Sequence, residues 1–355
     1  MNRKLYRYFP LTVSNPFLYY YIKILSCFFF FVRKKNKKTQ PIQKILLVQL
    51  AHLGDVALLK SYIPSIQAKY PKARFGVLIG SWSQEFFENF PEITLHILDH
   101  WKNNRSSGFF RKITTHIGSY FLAYQSIKQA NYDMSIDISL FYPNSHILTW
   151  LTKIPERVGF FSGGCGELLT TKYFLEENIL PIQDEIENLL KLLGVNQSLR
   201  QDNQPTENPW VFHPYSGDHK KDLSENFWRV LYLFFKAHGK EVVFTGRSNR
   251  ENLSIQTILG KDASQKNLCG KLCLQELETL VSKVQGIICV DTGIAHIASI
   301  YHSRIFVQFN HPLHMIRWKP RHAYSLCHQQ KKDHENNYFS RRLWNKTFRK
   351  DPKSS

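Results

Sequence analysis

The chain has 355 residues, of which 43% are hydrophobic, and its formal net charge is +19. This length and apolar fraction predict two domains of ordinary size with packed cores. The charge lies at the ends, because residues 1–41 carry nine Lys or Arg and no acid, while residues 321–355 carry nine against three acids. Residues 42–320 have a net charge of only +4. This argues against a nucleic-acid-binding protein, because the folded surface of such a protein would be basic.

An apolar and aromatic run at residues 17–32 is interrupted by Lys23 and has basic residues on both sides. It is short for a spanning helix, which needs about 20 apolar residues, and no small-residue cleavage site of the secretory type accompanies it. Residues 1–41 are therefore predicted to be an interfacial anchor on an anionic membrane surface. The rest of the chain would be cytoplasmic and peripheral on the inner face of the inner membrane. The alternative is an ordinary helix docked on the protein.

Strands alternate with helices over residues 42–195, which predicts a first domain with a parallel, doubly wound sheet. The first strand leads into Gly54-Asp55, where a carboxylate could act as a general base at the strand–helix turn. Asp55 could instead be a helix N-terminal residue that interacts with the helix dipole. The basic, aromatic segment 100–118 is either an exposed loop beside an acceptor site or a solvated connection. The strands are predicted at 45–50, 75–79, 95–98 and 134–138, and a helix at 56–69.

The polar segment 196–209 is predicted to link the first domain to a second one at 210–320, with a basic tail at 321–355. In the second domain Ser224 is predicted to be the N-cap of a helix that stops at Gly239. Its strands are predicted at 210–212, 241–245, 286–290 and 305–308.

The strand at 286–290 ends in Asp291-Thr292-Gly293, which opens a helix. The first N–H groups of such a helix suit a phosphate. His296 follows one turn later, and it either contacts the same ligand or packs in the core.

No metal or cofactor is predicted. The six cysteines are scattered and form no Cys-x-x-Cys pair, so a structural zinc site is disfavoured and reduced thiols are expected. No Asp-x-Asp pair stands where it could hold a metal on a diphosphate, so cationic side chains and helix N–H groups are expected to take that part.

Six motifs occur in one order between about residues 44 and 320, and together they resemble glycosyltransferase family 9, the ADP-heptose:lipopolysaccharide heptosyltransferases. Each motif alone is weak, but the ordered set covers most of the chain. The motifs are Gly54-Asp55 before Tyr70-Pro71, Tyr132-Asp133-Met134-Ser135-Ile136-Asp137, Arg157-Val158-Gly159-Phe160, His213-Pro214 with Lys221 and Trp228, Gly246 with Glu251, and Asp291-Thr292-Gly293-Ile294-Ala295-His296.

The resemblance implies a GT-B fold, α/β with two Rossmann-like domains facing a cleft, and inverting transfer of heptose from ADP-heptose to an inner-core lipopolysaccharide acceptor. It makes Asp55 the base and Lys221 the cation beside the diphosphate, although counting from His213 favours Lys220. The remaining implied contacts are Glu251 to ribose, Asp291 to the sugar, Thr292 and Gly293 to the diphosphate, His296 to the donor, and Arg157 to the acceptor. Lys60 lies where the chain departs from the family, and it could meet an anionic group of the acceptor or simply lie on the surface.

Departures from the family pattern leave the sugar open. Leu59-Lys60-Ser61 stands where the family often has Thr-Thr-Pro, and Asn310-His311-Pro312 replaces a Gly-Pro-Thr. Bulkier residues at 139–143 follow the strand that ends at Asp137. The alternatives are a family member that uses another nucleotide sugar, or a non-catalytic binder of anionic lipid or nucleic acid that keeps the fold.

Overall fold

The computed structural model describes residues 24, 41–101, 103, 108–140, 142–162, 164–175, 179–196, 209–301, 304–321 and 323–327. The chain forms two compact units, Met1–Leu199 and Arg200–Ser355. The predicted membrane anchor apart from residues 24 and 41, nearly all of the linker and most of the basic tail lie outside the described residues. Within the described part of the chain, no helix combines the length and the apolar character needed to cross a membrane.

The described part of the first unit is built on a parallel sheet in the order β3-β2-β1-β4-β5-β6, as in a Rossmann fold. The central strand β1 reads Ile-Leu-Leu-Val and is buried, as expected for a parallel strand covered on both faces. The strands are β1 (Lys44–Gln49), β2 (Arg74–Ile79), β3 (Thr94–Ile97), β4 (Met134–Asp137), β5 (Glu156–Phe160) and β6 (Thr171–Tyr173).

Four described α-helices and two short 3₁₀ segments surround this sheet. Leu46, Val48 and Leu50 share one core cluster with Ile127 and Leu148, which belong to two of the helices. The helices are α1 (Leu53–Lys69), α2 (Phe109–Ala130), α3 (Pro143–Leu151) and α4 (Ile182–Lys191), and the 3₁₀ segments are Ser81–Phe87 and Gly166–Leu168.

The second unit has its own parallel sheet in the order β11-β10-β9-β7-β8. Renumbered within the unit, this is the flavodoxin-like order 2-1-3-4-5. An aromatic cluster that includes Trp210, Phe212, Trp228 and Phe235 forms its core. The strands are β7 (Trp210–His213), β8 (Val242–Phe244), β9 (Gly286–Val290), β10 (Ile305–Phe309) and β11 (Tyr324–Cys327).

Four described helices of the second unit begin at a residue whose side chain caps them. The prediction for Ser224 is confirmed, since its hydroxyl accepts a hydrogen bond from the N–H of Phe227 at 3.2 Å. The helix ends at Ala237, and Gly239 follows with φ +66. The helices are α5 (Glu225–Ala237), α6 (Asn249–Leu259), α7 (Ala263–Lys266), α8 (Leu274–Lys283), α9 (Gly293–Tyr301) and α10 (Pro312–Trp318), with 3₁₀ segments at His219–Lys221 and Gly260–Asp262.

Two local predictions are wrong. Residues 109–118 belong to α2 and are not a loop: the helix runs from Phe109 to Ala130, and Ala123 and Ile127 in its second half pack into the core. The first helix begins at Leu53, so Asp55 lies inside its first turn rather than before it. The fold class itself is as predicted: α/β, with two Rossmann-like units, each built on a parallel sheet.

Candidate functional site

Asp55 lies where ligands bind in sheets of this kind. In an open parallel sheet the carboxyl ends of the two strands at which the order reverses form a crevice. In the first unit these strands are β1 and β4. Asp55 follows β1, is 8% exposed, and accepts a hydrogen bond through Oδ2 from the N–H of His52 at 3.0 Å. The capping role is therefore present, and it also fixes the carboxylate at this edge of the sheet.

Tyr142 lies close enough to Asp55 for the charge of the carboxylate to act on it, and Asn103 contacts Tyr142. The sequence singled out neither residue. Asn103 Nδ2 donates both to the carbonyl of Leu50 at 2.7 Å and to the hydroxyl of Tyr142 at 2.9 Å. Burial, and secondarily the charge of Asp55, raises the pKa of Tyr142, so the phenol keeps its proton. The Tyr142 hydroxyl oxygen already accepts a hydrogen bond from Asn103. Its own O–H can therefore act as a hydrogen-bond donor near Asp55.

The two aspartates of the Tyr-Asp-x-x-Ile-Asp motif have structural contacts. Asp133 Oδ2 accepts from the N–H groups of Gln43 and Lys44, both at 2.9 Å, at the amino end of the sheet. Asp137 lies at the carboxyl end of β4, but it is fully buried. It accepts from the N–H of Ser139 at 2.8 Å and from the Ser145 hydroxyl. Asp137 thus ties β4 to the start of α3.

The two residues predicted to contact the acceptor are held by other partners. Lys60 Nζ lies 5.5 Å from the ring centroid of Phe86 and 5.3 Å from that of Phe90. Arg157 is only 6% exposed, and its guanidinium donates to the carbonyls of Leu168, at 2.7 Å, and Ile154. Burial lowers its pKa. Through these contacts Arg157 stabilises the structure around β5. Acceptor binding by Lys60 or by Arg157 stays a prediction.

We expect Arg157→Ala to lower the free energy of unfolding by about 2–3 kcal/mol, because buried carbonyls would lose their charged donor. Arg74→Ala, at the exposed start of β2, is the control and should change stability little. Urea unfolding of the three proteins gives the comparison. A normal unfolding free energy combined with poor acceptor use would instead favour an acceptor contact.

Lys221 and Asp291 meet at the corresponding edge of the second sheet. There the order reverses between β7 and β9, which precede Lys221 and Asp291 respectively. Lys221 Nζ donates to Asp291 Oδ2 at 2.7 Å. Lys220, which the spacing left as an alternative, uses its backbone here: its N–H donates to Asp218 Oδ1 and its carbonyl accepts from Asn310. The cation beside Asp291 is therefore that of Lys221.

The start of α9 adds partial positive charge at the same place. Gly293 is its first residue, and the leading N–H groups of a helix lack intrahelical acceptors. His296 lies one turn inside and is buried, and burial lowers its pKa to about 4, so it is neutral at pH 7. Its Nδ1 has no hydrogen-bond partner among the described residues. Its ring meets that of Trp318 at 6.5 Å between centroids.

His314 extends this group, and the sequence did not indicate it. Its Nδ1 lies 4.0 Å from Asp291 Oδ2, and its side chain is half exposed. It comes from α10, directly after Asn310-His311-Pro312, where the chain departs from the family pattern. That departure was the only sequence signal that could have pointed to it.

Glu251 is held by its own helix terminus. Its Oε2 accepts from the N–H groups of Arg247 at 2.6 Å and Ser248 at 3.2 Å, while the Ser248 hydroxyl accepts from the Glu251 N–H. This is a capping box, and Ser248-Asn249-Arg250-Glu251 carries its sequence signature. The carboxylate is fixed at the carboxyl end of β8, and its contact with a ribose stays a prediction.

Comparisons with known proteins agree with this architecture. The family model described as glycosyltransferase family 9 (heptosyltransferase) matches residues 122–305, just over half of the chain. No curated protein matches the chain.

Solved structures match over most of their length. They include a glycosyl transferase family 9 protein from Veillonella parvula, with TM-score 0.64, 18% identity, and 81% of this chain and 87% of that chain covered. ADP-heptose lps heptosyltransferase II of E. coli has TM-score 0.63, 18% identity and coverage of 85% and 96%. E. coli heptosyltransferase WaaC with ADP has TM-score 0.61, 16% identity and coverage of 80% and 93%. At these identities the structures show a shared fold, and the family model shows membership: the chain belongs to glycosyltransferase family 9, the heptosyltransferase family.

Proposed function

We propose that this protein transfers heptose from ADP-heptose to an inner-core lipopolysaccharide acceptor with inversion at the anomeric carbon and without a metal ion. Family membership supports glycosyl transfer. Related folds include a heptosyltransferase with ADP and an ADP-heptose lipopolysaccharide heptosyltransferase, which favours this donor and acceptor. The observation that carries the proposal is the Lys221–Asp291 pair beside the start of α9 at the reversal point of the second sheet.

The donor half of the reaction needs groups that accept negative charge as ADP leaves. The ammonium of Lys221 and the leading N–H groups at Thr292 and Gly293 provide fixed positive charge for a diphosphate. Asp291 keeps the amine oriented and can accept from a sugar hydroxyl. His296 is neutral and can therefore exchange a hydrogen bond without adding charge.

The acceptor half needs a base. Asp55 takes the proton of the attacking hydroxyl, the oxygen forms a bond to the anomeric carbon, and the bond from that carbon to the ADP oxygen breaks. Attack opposite the departing ADP inverts the anomeric carbon. Asn103 orients the Tyr142 hydroxyl by a hydrogen bond. The Tyr142 O–H can then donate either to Asp55 or to the acceptor oxygen, and so keep that group in position for the attack.

The proposal places the protein on the cytoplasmic side, peripheral on the inner face of the inner membrane, where an anionic, lipid-linked acceptor is accessible. The motive is the net charge of +9 over residues 1–41 next to an aromatic run. Lipopolysaccharide carries a hydrocarbon anchor, so an enzyme that glycosylates it works at a bilayer surface.

A donor screen tests the proposed function. We expect ADP-heptose to raise the melting temperature and to be turned over with a lipopolysaccharide core acceptor, while UDP- and GDP-sugars do neither. Stabilisation follows from ligand binding to the folded state only. Turnover with another nucleotide sugar would make the chain a family member of different specificity. Absence of turnover with every donor and acceptor pair would favour a binder that keeps the fold.

A further inference from the structure

One helix of the first unit exposes apolar side chains that a water-facing helix normally lacks. In α2, Phe110 is 84% exposed, Ile117 62%, Phe121 58% and Leu122 65%. At 100° per residue, Phe110, Ile117 and Phe121 lie within an arc of about 40°, and they span about 16 Å along the axis. They lie in one row along the helix, which we call the α2 stripe, and the exposed Thr114 interrupts this row between Phe110 and Ile117.

The stripe is not the face by which α2 holds the sheet. Ala123 and Ile127 are buried in the core, and Tyr120 and Tyr124 pack against the same cluster. Ala123 is about half a turn around the axis from Phe121, whereas Tyr124 is only about 20° from Ile117, so the packed face and the stripe adjoin on one side. Among the residues that the structure describes, Ala123 and Ile127 pack into the core while Phe110, Ile117 and Phe121 stay mostly exposed.

The charged residues of α2 itself are all basic, although Asp99 contacts the helix at His116 and Ser119. From His100 to Tyr132 the sequence contains no Asp or Glu, whereas it has five Lys or Arg. Arg111 and Lys128 are exposed on α2 itself. An apolar helix face flanked by Arg111 and Lys128 matches the interface of an anionic bilayer, where side chains enter the acyl boundary and cations meet headgroups. Two copies of this helix would instead bring like charges together.

We propose that the α2 stripe is a docking surface for an anionic lipid bilayer, separate from residues 1–41. The helix would lie in the interface plane, with Phe110, Ile117 and Phe121 in the acyl boundary and with Arg111 and Lys128 at the headgroups. Lipid binding by this surface does not depend on the transfer reaction, so it stands or falls apart from the proposed function.

The position of α2 gives this surface a use. His116 of α2 contacts the carbonyl of Asp99 at 3.0 Å through Nδ1 and the side chain of Asn144 at 3.2 Å through Nε2. Asn103, just after Asp99 in the chain, donates to the carbonyl of Leu50. The first half of α2 is therefore tied to the edge of the sheet that carries Asp55. A bilayer docked on the stripe would bring lipid-linked acceptors to that edge.

Vesicle binding by the full chain tests the proposal. The vesicles contain phosphatidylethanolamine and phosphatidylglycerol. We expect Phe110→Ser combined with Phe121→Ser to weaken partitioning of the protein from water onto these vesicles at least about tenfold, because two aromatic rings that would insert into the bilayer are lost. Arg111→Glu with Lys128→Glu should weaken it by a similar factor, and only on anionic vesicles. Matched controls are Leu233→Ser with Leu253→Ser, and Arg229→Glu with Lys261→Glu, which change exposed residues of the second unit.

A photo-crosslinking residue reports contact directly, whatever residues 1–41 contribute to binding. We expect p-benzoylphenylalanine at position 110 to label lipid on bound protein, and the same residue at position 253 to label none. Partitioning of the Phe110 and Phe121 variant equal to that of wild type, with equal labelling at both positions, would overturn the proposal. So would a dimer in solution that the same two substitutions dissociate, since the stripe would then bind a second copy of this chain.

Discussion

Asp55→Asn is expected to reduce turnover by about 10²-fold or more, the scale on which a general base contributes. The asparagine oxygen can still accept the hydrogen bond from the His52 N–H, so the start of α1 and the fold should survive. ADP affinity should be unchanged, because the proposed diphosphate site belongs to the second unit. The measurement is steady-state turnover with ADP binding by calorimetry in parallel.

Asp133→Asn is the matched control for that experiment. Asp133 also accepts backbone N–H groups with its carboxylate, but it does so at the amino end of the sheet, away from Asp55. It should alter stability and leave turnover per folded molecule near that of wild type. Wild-type turnover in Asp55→Asn itself would leave Asp55 with its capping role alone.

Lys221→Ala is expected to lower kcat/KM for the donor by about 10²-fold, because a cation that stabilises the leaving diphosphate is removed. ADP binding should weaken as well, which separates this variant from Asp55→Asn. Lys220→Ala is the control, since the structure gives only its backbone a contact at this site. A larger loss in Lys220→Ala would show that the neighbouring lysine meets the diphosphate.

Removing Lys221 also leaves Asp291 without its ion-pair partner, so part of the loss could come from that carboxylate. The double variant Lys221→Ala with Asp291→Asn separates the two causes. If the missing cation is responsible, the double variant stays as poor as Lys221→Ala or becomes worse. Recovery of donor use in the double variant would identify the unpaired carboxylate as the main source of the defect.

The sequence predicts best those features that depend on residues close together in the chain. The alternation of strands and helices, the Ser224 cap and the helix after Asp291 depend on neighbouring residues, and each is present in the structure. The choice between Lys220 and Lys221 could not be made from spacing, because a short 3₁₀ segment, His219–Lys221, decides which side chain turns toward Asp291.

The site contacts that the sequence did not predict join residues far apart in the chain. Asn103 joins Asp55's neighbourhood through Leu50 and Tyr142, and His314 reaches Asp291 from a separate helix. No local pattern records such contacts. The helical state of 109–118 also depends on packing elsewhere along α2, whereas the Glu251 capping box could have been found from its sequence signature.

The ion pair of Lys221 and Asp291 bears on how quickly ADP can leave. The amine has a carboxylate partner within its own unit, with Nζ and Oδ2 at 2.7 Å. A diphosphate bound as proposed would share that amine, so its affinity would reflect the difference between two anionic partners and not the full strength of a new ion pair. When the sugar has been transferred, Asp291 can take the amine back. Such an exchange would speed the release of ADP from the site. Product release often limits the rate of an enzyme.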